Sequence, residues 1–163
     1  MSITEQIDLQ DLVIKACARS VSIWLSEPDS NNFVKAEPYF IKWGDRSLHH
    51  HAETQKFVYD QASQNLNAPR IPKVHDCFDH GIITYLVMEY IPMLSRKDTA
   101  AACLPQRTAD AIDWLRRLPP PPGASIGPLG GGYACHRLFQ EWSAPLRFSC
   151  SEALEIYLNK VRF

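Results

Sequence analysis

The stretch from Phe33 to Ile91 constrains the fold most. Phe33-Val-Lys-Ala and Tyr39-Phe-Ile-Lys-Trp are short runs of aromatic and β-branched residues, separated by Glu37-Pro38. Side chains of this kind suit a half-buried pleated surface, and a proline beside a polar residue suits a turn. Arg70-Ile-Pro-Lys-Val-His-Asp-Cys-Phe-Asp-His-Gly-Ile-Ile-Thr-Tyr-Leu-Val-Met-Glu-Tyr-Ile carries two further apolar runs, broken by Asp79-His-Gly81 as a hairpin-type turn. Upstream, Val21-Ser-Ile-Trp-Leu reads as a strand of the same type, set off by the turn Glu27-Pro-Asp-Ser-Asn-Asn32. Between the third and fourth runs, Ser47 precedes a polar segment whose Ala52, Phe57, Val58 and Ala62 recur at helical spacing. That spacing predicts a helix ending near Asn65 to Asn67. The predicted fold class is α+β, with a five-stranded antiparallel sheet and one inserted helix.

Residues 1–20 are expected to form an opening helix, with Ser2-x-x-Glu5 as a capping box and Ile7, Leu12, Val13, Ala16 and Cys17 on one apolar face. Residues 21–92 then hold the sheet, and residues 93–163 are helical in character. One helix is expected from Ser95 to Leu104. A second starts at Pro105, with Ala109, Ile112, Leu115 and Leu118 on one face, and Pro119 to Pro122 stop it. The tetraproline is read as this helix stop rather than as a polyproline ligand. Gly123 to Gly132 form a Gly/Pro loop, and Ser149-x-x-Glu152 caps a last helix with Ala153, Ile156, Tyr157 and Val161 inward.

Charge and composition exclude several partner classes. Lys plus Arg number 17 against 18 Asp plus Glu, so no net field draws in nucleic acid. The apolar stretch near Gly81 to Met88 is far short of the ~20 residues of a membrane-spanning helix. The N-terminus carries acids where a secretory signal needs basic residues. Five scattered cysteines, without a Cys-x-x-Cys pair, fit a reducing compartment. A cytoplasmic protein, bound to neither membrane nor nucleic acid, is the expectation.

The order of strands and helix resembles the small lobe of a protein-kinase-like fold, and its pivotal positions are filled. Tyr39-Phe-Ile-Lys-Trp-Gly resembles the third strand of that lobe, which makes Lys42 the lysine that contacts the α and β phosphates of ATP. Glu53, on the following helix, takes the place of the glutamate that orients this lysine. Leu86-Val-Met-Glu-Tyr-Ile-Pro resembles the last strand and the hinge. Met88 is then the gatekeeper, and the backbone of Glu89, Tyr90 and Ile91 meets the adenine edge.

Further stretches narrow the likeness. Arg70-Ile-Pro-Lys-Val-His-Asp, Arg117-Leu-Pro-Pro-Pro-Pro, Ile126-Gly-Pro-Leu-Gly-Gly-Gly and Cys150-Ser-Glu-Ala-Leu-Glu-Ile-Tyr-Leu-Asn-Lys resemble segments of the aminoglycoside phosphotransferase and choline-kinase-like family of fungal type, over roughly residues 21 to 162. The resemblance implies an ATP-dependent phosphotransferase, with magnesium, acting on a small-molecule hydroxyl or on a protein. It also implies a His-Gly-Asp-type catalytic loop and a DFG-like metal site, and neither occurs in this sequence. The dipeptide His80-Gly81 precedes the hinge and is followed by Ile82. Phosphoryl transfer depends on positioning and charge neutralisation, so the expectation is a truncated, ATP-binding half without turnover. Ser26-Glu-Pro-Asp-Ser-Asn-Asn lacks the glycines that let backbone N–H groups approach phosphate, and Gly130-Gly-Gly132 opens no helix.

The competing expectation is a non-catalytic, pseudokinase-like binding or regulatory module. It would use exposed apolar surface to self-associate or to hold a protein partner. Metal sites are not expected. His49-His-His51 reads as a solvated helix start, with His49 and Glu53 the single i, i+4 pair of ligand chemistry. Cys135-His136 and His75-Asp-Cys77 lack a second ligand pair, and no serine- or cysteine-nucleophile pattern stands out.

Overall fold

Leu9, Val13, Cys17 and Val21 recur every fourth residue, a spacing that lays all four along one side of a helix. In the computed structural model, which describes residues 3–27, 30–92, 104–137, 139 and 141–161, that helix is α1 (Ile3–Ser26), and all four side chains are buried. The expected strand at Val21-Ser-Ile-Trp-Leu is therefore corrected to helix. A strand would set Val21, Ile23 and Leu25 on one face, yet Val21 is buried while Ile23 and Leu25 are 46% and 53% exposed. Burial at every fourth position overrides the local β preference of this segment.

Among the described residues four strands follow rather than five: β1 (Phe33–Ala36), β2 (Tyr39–Gly44), β3 (Val74–His80) and β4 (Ile83–Glu89). They form one antiparallel sheet in the order β1-β2-β4-β3. Glu37-Pro38 turns β1 into β2, as expected. The β3–β4 turn lies later than Asp79-His-Gly81, at Gly81-Ile82, because Asp79 and His80 stay in the ladder opposite Thr84 and Ile83. Gly81 supplies the left-handed φ of +62° that this tight turn needs. The inserted helix α2 (Leu48–Ser63) ends shortly before the expected Asn65.

Alternation along the strands divides the sheet into two apolar faces. Ile41, Trp43, Phe78, Ile83, Tyr85 and Val87 meet the buried side of α1. Leu86, with half-buried Val74, Cys77 and Met88, meets Leu48 and Ala52 of α2 on the other face. Ile41, Trp43 and Val87 are wholly inaccessible, so the centre of this core lies between α1 and the sheet.

The expected helix from Ser95 falls on 93–103, outside the described residues, as does Ser2 of the capping box. Helix α3 (Leu104–Arg116) carries Pro105 in its first turn, where a missing N–H costs nothing. None of its described residues is buried, and Ile112 and Leu115 are exposed.

The chain divides into two units, Met1–Arg117 and Leu118–Phe163. In the second, two isolated bridges, Ile126↔Phe148 and Cys135↔Ser143, brace an otherwise irregular loop. Phe139, Ala144 and Phe148 are buried against Ala153, Leu154 and Tyr157 of α4 (Ser151–Val161). Phe148 and Tyr157 stand 5.3 Å apart between ring centroids. Two expectations for α4 are corrected. It starts at Ser151, beyond Ser149, and Leu154 packs inward while Ile156 is exposed, because the aromatic cluster selects the Ala153–Leu154–Tyr157 side. Gly127 has a φ of +140°, and a Cβ there would come within 3.0 Å of the Gly132 carbonyl, so this loop closes only around glycine.

Candidate functional site

Lys42 lies inside β2, opposite Phe33 of β1 and Leu86 of β4. Its neighbours Ile41 and Trp43 are buried on the α1 side, so Lys42 belongs to the face that α2 partly covers. Phe40 shares that face two residues back and is paired with Met88, while Phe33 stacks on Phe40 at 5.3 Å. The result is a half-buried lysine at the border of an apolar, aromatic strip. Among the described residues no carboxylate forms an ion pair with it.

Glu53 sits on α2, but its carboxylate engages Lys56 one turn later, at 3.0 Å. Both side chains are about half exposed. The charge that does feel Lys42 is His51. Burial holds the His51 imidazole below its ordinary value, the positive charge of Lys42 pushes in the same direction, and Asp45 opposes them. Lys42 and the first turns of α2 therefore share one electrostatic environment. His51 is exposed, in keeping with the solvated helix start read from the sequence, but nothing in a linear pattern links it to β2.

The segment after Met88 is tied down on both sides. The Glu89 N–H donates to the Lys73 carbonyl at 2.8 Å, and the Tyr90 N–H donates to the Pro38 carbonyl at 2.9 Å. The Glu89 carboxylate accepts from Arg70 and from the Lys73 N–H. The Arg70 hydrogen bond and the Lys73 N–H together hold the Glu89 carboxyl below the usual carboxylate range. Lys42, Met88 and Phe40 are brought to one face; Glu53 pairs with Lys56; the N–H groups of Glu89 and Tyr90 are bonded to Lys73 and Pro38.

Among the described residues no three His, Cys, Asp or Glu side chains converge on a point that a cation could occupy. His49, read as part of a solvated helix start, binds Asp79 through Nε2 at 2.8 Å and approaches the Cys77 thiol through Nδ1 at 3.5 Å. Because the imidazole uses opposite nitrogens for these two contacts, the three groups do not surround a common centre. Among the described residues no helix is long and apolar enough to cross a membrane. No family model, curated protein or solved structure matches the chain.

Proposed function

We propose that this chain is the nucleotide-binding portion of a phosphotransferase-like protein and acts by holding ATP rather than by turning it over. The observation that carries this reading is Lys42, an ion-pair-free cation within β2 that faces the α2 side beside Phe40 and Met88. A phosphate group would supply the negative charge that Lys42 lacks. An adenine ring would lie on the apolar strip of Phe33, Phe40 and Met88, with the Ile91 N–H as its edge donor. Binding alone is proposed, because the His-Gly-Asp-type loop and the DFG-like metal site that the resemblance implies do not occur in this sequence.

A thermal-shift titration with ATP, with and without magnesium, tests it against Lys42→Ala. Occupancy at 100 times the dissociation constant adds about 2.7 kcal/mol of stability. A rise in melting temperature that Lys42→Ala abolishes is the expected result. No rise at millimolar ATP overturns the reading.

The second reading, a non-catalytic binding module, is favoured by Glu53, whose pairing with Lys56 leaves Lys42 without its orienting acid. Its signature is a concentration-dependent dimer or a protein complex that is indifferent to ATP, measured by sedimentation.

A further inference from the structure

His49 joins two groups that lie far from it in sequence. Through Nε2 it meets Asp79 Oδ1 at 2.8 Å, and the same oxygen accepts a 2.7 Å hydrogen bond from the Thr84 hydroxyl. Arg46 adds a positive charge 3.8 Å from the other carboxylate oxygen. A carboxylate can only accept, so the hydrogen of a neutral His49 resides on Nε2 and the Nδ1 lone pair faces outward from that bond. The group it faces is the Cys77 Sγ, 3.5 Å away. Thiol, imidazole and carboxylate thus stand in the order that general-base activation of a thiol requires, with Asp79 fixing the tautomer.

Cys77 needs such a base. It is half-buried among Leu48, Ala52 and Leu86, and desolvation pushes its thiol up to about 11; Asp76, Asp79 and Glu53 push the same way, against Lys56 on α2. At neutral pH it is a thiol, and a thiol is a poor nucleophile until its proton is removed. The other end of the relay is wet, since the His49 and Asp79 side chains are 42% and 40% exposed, so a proton taken by His49 has a path to water.

We propose that Cys77 is a covalent modification site for α,β-unsaturated carbonyl compounds, with His49 as its base and Asp79 as the positioning residue for His49. In the addition, the thiol proton passes to His49 Nδ1 as sulfur bonds to the β-carbon. The C=C π pair moves toward the carbonyl, and the resulting enolate takes a proton back from His49 or water at the α-carbon. One S–C bond and one C–H bond replace one S–H bond and one π bond, and no oxidant or leaving group is needed. This chemistry needs no bound nucleotide.

N-ethylmaleimide, itself such a carbonyl compound, tests the proposal on the full chain, with each cysteine followed by peptide mass spectrometry. Cys17 is an internal control, because it is wholly buried, its thiol is raised by burial to about 11, and no described imidazole bonds to it. Cys77 is expected to label at neutral pH while Cys17 stays unlabelled. Its rate should already be appreciable at neutral pH, well below the value of about 11 to which burial raises the Cys77 thiol, and not rise only toward the thiol range. His49→Asn should slow it about a hundredfold, the low end of what a positioned base supplies. Asp79→Asn should slow it less. Labelling of Cys77 no faster than of Cys17, or an unchanged rate in His49→Asn, overturns the proposal. If His49→Asn exposes Cys17 and so reports unfolding, the wild-type rate profile decides, and a profile rising only in the thiol range overturns it.

Discussion

Gln10 of α1 donates a 2.9 Å hydrogen bond to Asp76 Oδ2 of β3, across 66 residues of chain. It is a polar contact in an otherwise apolar interface between α1 and the sheet, and Asp76 is nearly buried. The other carboxylate oxygen accepts the Cys77 N–H at 2.8 Å. Gln10→Ala removes a single hydrogen bond from a partly solvated amide and should cost about 1 kcal/mol. Asp76→Ala unpairs more than one donor and should cost about 2–3 kcal/mol. Urea unfolding of the two variants beside wild type measures the difference.

The helical reading of Val21 to Leu25 separates two neighbouring substitutions. Val21→Ala cuts into the α1 side of the core and should destabilise by about 1–3 kcal/mol. Ile23→Lys alters an exposed position and should stay within about 0.5 kcal/mol of wild type. Were the segment a strand, both side chains would share a face and both variants would be harmful. Comparable losses in chemical denaturation would contradict the helix.

Lys42 and His51 make a third test, by NMR titration. The charge of Lys42 disfavours protonation of His51, so Lys42→Met should move the His51 midpoint upward, toward its ordinary value. Burial, the larger cause, persists in the variant, and the recovery should be partial. An unmoved midpoint would mean that the two side chains are not neighbours in solution. The same experiment links to stability. A histidine held low in the folded chain binds fewer protons than in the unfolded one, so its contribution to stability diminishes as pH falls below about 6.5.

Asp79 contributes on the acid side. The Thr84 hydroxyl and then His49 hold its carboxyl below the usual carboxylate range. A carboxyl lowered by folding stabilises the folded state above its unfolded value, and that stability is lost as pH falls through the lower, folded value. Asp79→Asn should therefore flatten the stability profile below about pH 4, and Thr84→Val should flatten it in part. Thermal melts at stepped acid pH provide the measurement, and a profile in Asp79→Asn as steep as wild type would refute the assignment.

Much of the sheet was legible because Tyr39-Phe-Ile-Lys-Trp and Ile83 to Val87 combine β-forming side chains with burial that alternates or is continuous. The α2 helix was legible from spacing alone. Val21 to Leu25 was misread because composition favoured a strand, whereas the deciding fact was the four-residue period begun at Leu9. The face shared by Lys42 and Met88 followed from strand parity once the register was known. Glu53 is different: a long side chain on a solvated helix takes the nearest opposite charge, and Lys56 is three residues away. His49 and Cys77 are 28 residues apart, and only the packing of α2 on β3 brings them together, so no local pattern announced them.

The outermost strands of the sheet have a consequence for how copies of this chain can meet. β1 spans only Phe33 to Ala36, carries Lys35 at its middle and runs straight into Glu37-Pro38, while β3 is interrupted by a bulge between Val74 and Asp76. Short length, a charged side chain, proline and a bulge each spoil a strand as a template for another strand. Both borders of the sheet are thus blunted against continuous cross-molecule pairing. Copies of this chain are thereby steered away from joining through an extended ladder of backbone hydrogen bonds.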